Sequence, residues 1–100
     1  MSAKTHFSDY VRHCLRFYAR CMTDRYLDTK VESENRKACY LAMQDFSEHD
    51  RVMFLKIYGS GDTVPDTVYE IAKQKHIDQE SIWRKLGELE RKVAIYRGLL

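Results

Sequence analysis

The sequence holds only one proline and four glycines in 100 residues. Sheet proteins with many tight turns draw heavily on both, so this shortage points to helices. Cysteine is also scarce. Cys14, Cys21 and Cys39 are odd in number and lack paired spacing, which argues against a disulfide framework and for reduced thiols in a cytosol. No apolar run is long enough to span a bilayer. Met1-Ser2-Ala3-Lys4 leads directly into a polar and apolar mixture, without the apolar stretch of a secretion signal. A cytoplasmic chain with no membrane partner is therefore expected. Neither sign of charge dominates, and a net charge of +2 is by itself no evidence for nucleic acid. Residues 1–50 balance at eight basic and eight acidic groups; residues 51–100 carry nine basic against seven acidic, so the whole excess lies in the second half.

A composition of 44% apolar and 32% charged residues excludes wholesale disorder, and the length suits one domain with one modest core. The expected organisation is a single all-α domain over 1–100, a five-helix bundle with an N-terminal helical part (1–45) and a helix-turn-helix part (46–100). Phe7, Tyr10, Val11, Cys14, Leu15, Tyr18, Cys21, Met22 and Tyr26 step by threes and fours and describe a wide helical stripe. The spacing predicts a first helix over 6–28, capped by Thr5 or Ser8. The segment 28–33 breaks the pattern and reads as a loop. A second helix is expected over 34–46, burying Cys39, Met43 and Phe46.

A third helix is expected over 48–58. Ser47 is a good cap with acidic residues after it; the core face is read as Val52, Phe54, Leu55 and Ile57 or Tyr58, and Gly59 as a left-handed stop. Pro65 falls in the connection. Thr67 and Glu70 have the spacing of a capping box and predict a fourth helix over 67–75. Asp78 caps a fifth helix over 79–97, with Gly98 as its stop. Its apolar residues, Ile82, Leu86, Leu89, Val93 and Tyr96, form a narrow seam that needs a partner helix. The stripe of the first helix is the expected cover, within the chain or across a two-fold. Gly87 reads as a point of close helix approach. Trp83 packs beneath the first helix or stands at a partner surface.

No pattern carries catalysis. No Ser-His-Asp or paired-carboxylate arrangement is suggested by spacing, so no enzyme activity and no cofactor are expected. His6, His13, His49 and His76 make no metal spacing with the cysteines. Gly59-Ser60-Gly61 lacks the Lys-Ser/Thr of a phosphate loop.

The informative stretch is 67–86, where two capped helices and a tight turn are compressed together. Ala72 is small enough for two helices to cross, Ile77 reads as a plug in the turn, and Ile82 anchors the second helix. This arrangement leaves that helix's N-terminal end projecting, the shape that enters a major groove. Glu70-Ile71-Ala72, then Ile77, then Ile82 resemble the helix-turn-helix of sigma-factor region four and related bacterial and phage transcription regulators. Phe46-Ser47-Glu48-His49-Asp50-Arg51-Val52 resembles the opening of that family's preceding helix, and Tyr58-Gly59 its end. The resemblance covers residues 46–95. It extends to phage late-gene activators that join such a module to a different N-terminal half. Residues 1–45 do not resemble the polymerase-binding region of a full sigma factor.

The resemblance implies a DNA-binding transcription regulator of a bacterium, phage or mobile element, acting on double-stranded DNA, with RNA polymerase and a homodimer as candidate partners. Carried over by position, it makes Gln79, Glu80, Ser81 and Arg84 base contacts, and Lys73, Lys75, Lys85, Arg91 and Lys92 phosphate contacts. The chain departs from the family at His76, where glycine is usual, and in the acidic opening Asp78-Gln79-Glu80. The alternative is a non-catalytic protein-interaction module in which the helix-turn-helix is vestigial.

Overall fold

The computed structural model describes residues 5–21 and 30–100, with side chains from 8–20 and 30–100. The described residues are all-α, with no strand, in five helices: α1 (Thr5–Cys21), α2 (Lys30–Met43), α3 (Glu48–Gly59), α4 (Val64–Lys75) and α5 (Gln79–Arg97). The part of the first predicted helix beyond Cys21, with Met22 and Tyr26 on its stripe, lies outside the described residues, as do the side chains of Phe7 and Cys21.

Each helix contributes one stripe to a single contiguous core. Val11, Cys14 and Leu15 come from α1, Ala38, Cys39 and Met43 from α2, and Phe54, Ile57 and Tyr58 from α3; Val68 and Ile71 come from α4, and Ile82, Leu86, Leu89 and Val93 from α5. The seam of α5 is thus buried within the chain. α1 touches it as expected, but the most extensive packing along α5 comes from α2. The sequence favoured α1 because α2 is weakly amphipathic and shows only small or sulfur-bearing residues inward, Ala38, Cys39, Ala42 and Met43. Small residues let helix axes approach closely, which a count of large apolar residues overlooks.

Several boundaries differ from the sequence reading, each for a physical reason. Residues 30–33, read as loop, form the first turn of α2; Val31 there is 52% exposed, so no apolar periodicity marks it as helical. α2 ends at Met43, and Phe46 lies in the following turn, its ring edge-on to Phe54 at 5.0 Å. In α3 the inward pair is Met53 and Phe54, followed by Ile57 and Tyr58, whereas Val52 is 60% exposed and Leu55 only partly buried. Two adjacent apolar pairs a turn apart fix the helix rotation, and Val52 falls on the far side. Tyr10 and Tyr96 also stand outward from their stripes; the Tyr96 hydroxyl donates to Asp45 Oδ2 at 3.1 Å, and the Tyr10 hydroxyl accepts from Asn35 Nδ2 at 2.9 Å.

Gly59 is the last residue of α3 and is not left-handed; the chain leaves through Ser60 in extended conformation. A Cβ at Gly59 would meet Ala19 Cβ at 3.5 Å, so the position suits close packing of α3 on α1. Arginines of α1 reach over this junction: Arg20 Nη2 donates to Ser60 O at 2.8 Å and Arg16 Nη2 to Asp62 O at 3.4 Å. α4 starts at Val64, with Thr63 as its cap and Pro65 in its first turn, where the missing N–H leaves no helical bond unmade. The capping box expected at Thr67 and Glu70 therefore does not form. Thr67 is buried, and its hydroxyl donates to Thr63 O at 3.0 Å. Gly87 is exposed, and a Cβ there would meet open space, so no described helix packs closely against it as the sequence reading expected. Trp83 is partly buried against the core, and Gly98 is left-handed as expected.

One carboxylate borders this apolar frame, at the floor of an open groove. Glu90 of α5 is buried, and its Oε2 accepts from Tyr58 Oη at 2.7 Å and from Arg12 Nε at 3.0 Å. Burial, and then the Glu90 carboxylate, push the Tyr58 hydroxyl far above its ordinary pKa, so it stays protonated and donates. Burial lowers the pKa of the Arg12 guanidinium, but Glu90 more than offsets this and leaves it raised.

Leu89→Ala is expected to lose about 2–5 kcal/mol in urea denaturation, because Leu89 is fully buried in the centre of the seam. A loss below about 0.5 kcal/mol would contradict its central place. Tyr58→Phe is expected to lose about 1–3 kcal/mol, since it withdraws one of the two donors from a buried carboxylate; an unchanged midpoint would show that solvent replaces the hydroxyl.

Candidate nucleic-acid interface

The α4–α5 pair is joined by His76, Ile77 and Asp78. His76 is left-handed (φ 56, ψ 43), the only non-glycine residue with positive φ among those described. The N–H groups of His76 and Ile77 both reach Ala72 O, which closes the end of α4. Asp78 returns to extended backbone, and its Oδ1 accepts from the Glu80 N–H at 3.3 Å, which opens α5. The turn is thus tight because one residue takes the left-handed region and the next but one caps.

Ala72, Ile71 and Ile82 are buried where the two helices meet, as expected. Ile77 is less of a plug than its sequence position suggests, at 43% exposure. It borders a small cavity of about 90 Å³ between the turn and the first turns of α3, shared with His49, Met53 and Ile82. The lining of that cavity comes from α3 and from the facing ends of α4 and α5, and part of Ile77 stays open.

The residues predicted to read bases lie at the start of α5. Gln79, Glu80 and Arg84 are exposed, and Ser81 is partly buried. Among the residues predicted to meet phosphate, Lys73, Lys75 and Arg91 are exposed and carry no ion pair among the described residues. Lys73 Nζ lies 6.0 Å from the centre of the Tyr69 ring. The other two are engaged: Lys85 Nζ is 3.0 Å from Asp50 of α3, and Lys92 Nζ is 3.4 Å from Asp45 in the α2–α3 turn. The outward face of α5 is mixed in sign, with Glu80 and Glu88 among Arg84 and Arg91.

The fold brings Arg84 and Arg91 to one open groove of about 500 Å³ with Arg12 of α1. It brings Lys75 and Lys85 to the edge of the small cavity under the turn. Lys92 is drawn away toward α2. Arg12 and Asp50 escaped the sequence reading because each acts across a gap in the chain, and nothing local to either residue marks its partner.

The described residues contain no group of three or more His, Cys, Asp and Glu side chains placed to hold a metal ion. No described helix is long and apolar enough to cross a membrane. Cys14 and Cys39 are free and buried; burial pushes the Cys39 thiol up to about 12 and raises that of Cys14, which makes both poor nucleophiles. No family model, curated protein or solved structure matches the chain.

His76→Gly is expected to stabilise the protein by about 1 kcal/mol, since glycine enters the left-handed region without the Cβ penalty. Chemical denaturation checks this, and a loss of stability would mean that the imidazole holds the turn by contacts that outweigh its strain.

Proposed function

We propose that this chain is a DNA-binding transcription regulator of a bacterium, phage or mobile element, with α4 and α5 acting as a helix-turn-helix and α5 entering the major groove. The observation that carries this reading is the way α5 leaves its turn. Ile82 and Leu86 hold it from behind, Asp78 caps it, and Gln79, Glu80 and Arg84 project over its first two turns. A helix presented by its N-terminal half, braced by a second helix across a tight turn, suits a groove of B-DNA.

In this reading the fork of Arg84 pairs with both acceptors of guanine, and Gln79 pairs with adenine. Ser81 and Glu80 flank them as further base contacts. Lys73, Lys75 and Arg91 position the duplex through phosphates, whereas Lys85 and Lys92, engaged by Asp50 and Asp45, stand apart from the phosphate contacts. The small net charge and the acidic groups beside Arg84 imply weak non-specific binding. A second copy of the chain, or RNA polymerase, then helps to hold the site.

One observation favours the second reading, a protein-interaction module without catalysis. The face of α5 is mixed in charge, and Ile95, Tyr96, Leu99 and Leu100 are exposed near its far end.

Fluorescence anisotropy separates the two, on duplexes selected from a genomic fragment library and on scrambled controls at two salt concentrations. Arg84→Ala is expected to lose about 1–3 kcal/mol on the selected site and little on the scrambled one. No binding at tens of micromolar, or a signal indifferent to salt and sequence, would transfer the assignment to the interaction module.

A further inference from the structure

The ion pair between Asp50 and Lys85 links α3 to the margin of the face described above. Asp50 belongs to the first turn of α3. Its N–H donates to Ser47 Oγ at 3.1 Å, and its carboxylate lies where the helix dipole favours negative charge. Lys85 reaches it with Nζ 3.0 Å from each carboxylate oxygen. The lysine side chain is 45% exposed and that of the aspartate 15%, so the lysine is the more solvent-accessible partner of the pair. Lys85 follows Arg84 directly in α5 and borders the same small cavity as Lys75 and Ser81.

Resting on the DNA-binding reading, we infer that Asp50 is a positioning residue that withholds Lys85 from the DNA backbone and so sets how many phosphates this face neutralises. One ammonium does not serve as full counter-ion to two anions at once. A phosphate oxygen arriving at Lys85 has to displace a carboxylate that already accepts through both oxygens and is anchored by its own helix. Lys73, Lys75 and Arg91 have no such competitor among the described residues. The negative charge of Asp50, close behind the face, also opposes a phosphate that approaches Lys85. Asp50 thereby lowers sequence-blind affinity and leaves the discrimination to the groups that meet base edges.

The test is anisotropy with a labelled duplex of random sequence and the full chain as wild type, Asp50→Asn, Lys85→Met and the double variant, between 50 and 200 mM salt (about the range over which phosphate contacts are resolved). Circular dichroism checks the helical content of each. Asp50→Asn is expected to bind severalfold more tightly at the low-salt end, with a log–log salt slope steeper by about 0.9, the value of one added phosphate contact. Lys85→Met alone is expected to leave the wild-type slope unchanged, and in the Asp50→Asn background to abolish the gain. An Asp50→Asn slope equal to that of wild type overturns the inference, as does a gain that persists in the double variant. If Asp50→Asn loses its helical signal, Lys85→Met in the wild-type background decides: an unchanged slope supports the inference, and a slope flattened by about 0.9 overturns it. Salt-dependent wild-type binding with no change in Asp50→Asn removes this inference alone, whereas absence of binding by all four proteins removes the DNA reading together with it.

Discussion

The Glu90 carboxylate is the constraint on which the arrangement of the helices turns. Through one oxygen it accepts from Tyr58 of α3 and Arg12 of α1, so three helices meet at a buried charge that tolerates few alternative geometries. Apolar contacts alone leave a helix some freedom to rotate about its axis, because one branched residue replaces another in the seam with modest loss. A buried carboxylate does not slide in this way, since moving it away from its donors leaves a charge unpaired in an apolar setting. With Leu89 and Val93 beside it, Glu90 fixes the rotation of α5, and that rotation decides that Arg84 and Arg91 face outward.

The α4–α5 junction is built differently, from local backbone chemistry. His76 takes the left-handed region, Asp78 caps, and the freed N–H groups at the end of α4 find Ala72 O. These interactions span a few residues and would form in much the same way in another protein. What they do not set is the electrical character of the face they present. That depends on groups delivered from elsewhere: Asp50 from α3, Asp45 from the α2–α3 turn, and Arg12 from α1. They turn a helix that looks moderately basic in sequence into one whose lysines are partly engaged.

The fold was largely legible in the residues, and the failures share a cause. Ser47, Asp78 and Gly98 acted as read because a cap depends on its own few neighbours. Thr67 failed as a cap because Thr63 lies one turn earlier, with Pro65 suited to the first turn between them. Residues 30–33 read as loop in sequence because exposed helix carries no apolar period. Val52 reads as inward in sequence because four consecutive apolar residues admit two helix rotations, and only packing against the other helices selects one. The candidate site was legible as a list of exposed positions on α5, but not as a charge distribution.

The sequence by itself determined the helical class, the five helices of the described residues, the tight turn at His76–Asp78 and the apolar seam of α5, since propensity, capping and periodicity act over a turn or two of chain. Only the tertiary structure decided that α2 is the main cover of that seam, that Glu90 gathers Tyr58 and Arg12, and that Lys85 and Lys92 are held by Asp50 and Asp45. Those partners are separated along the chain by tens of residues, and Coulomb and hydrogen-bond energies depend on distance in space. No local pattern encodes that distance before the helices have packed.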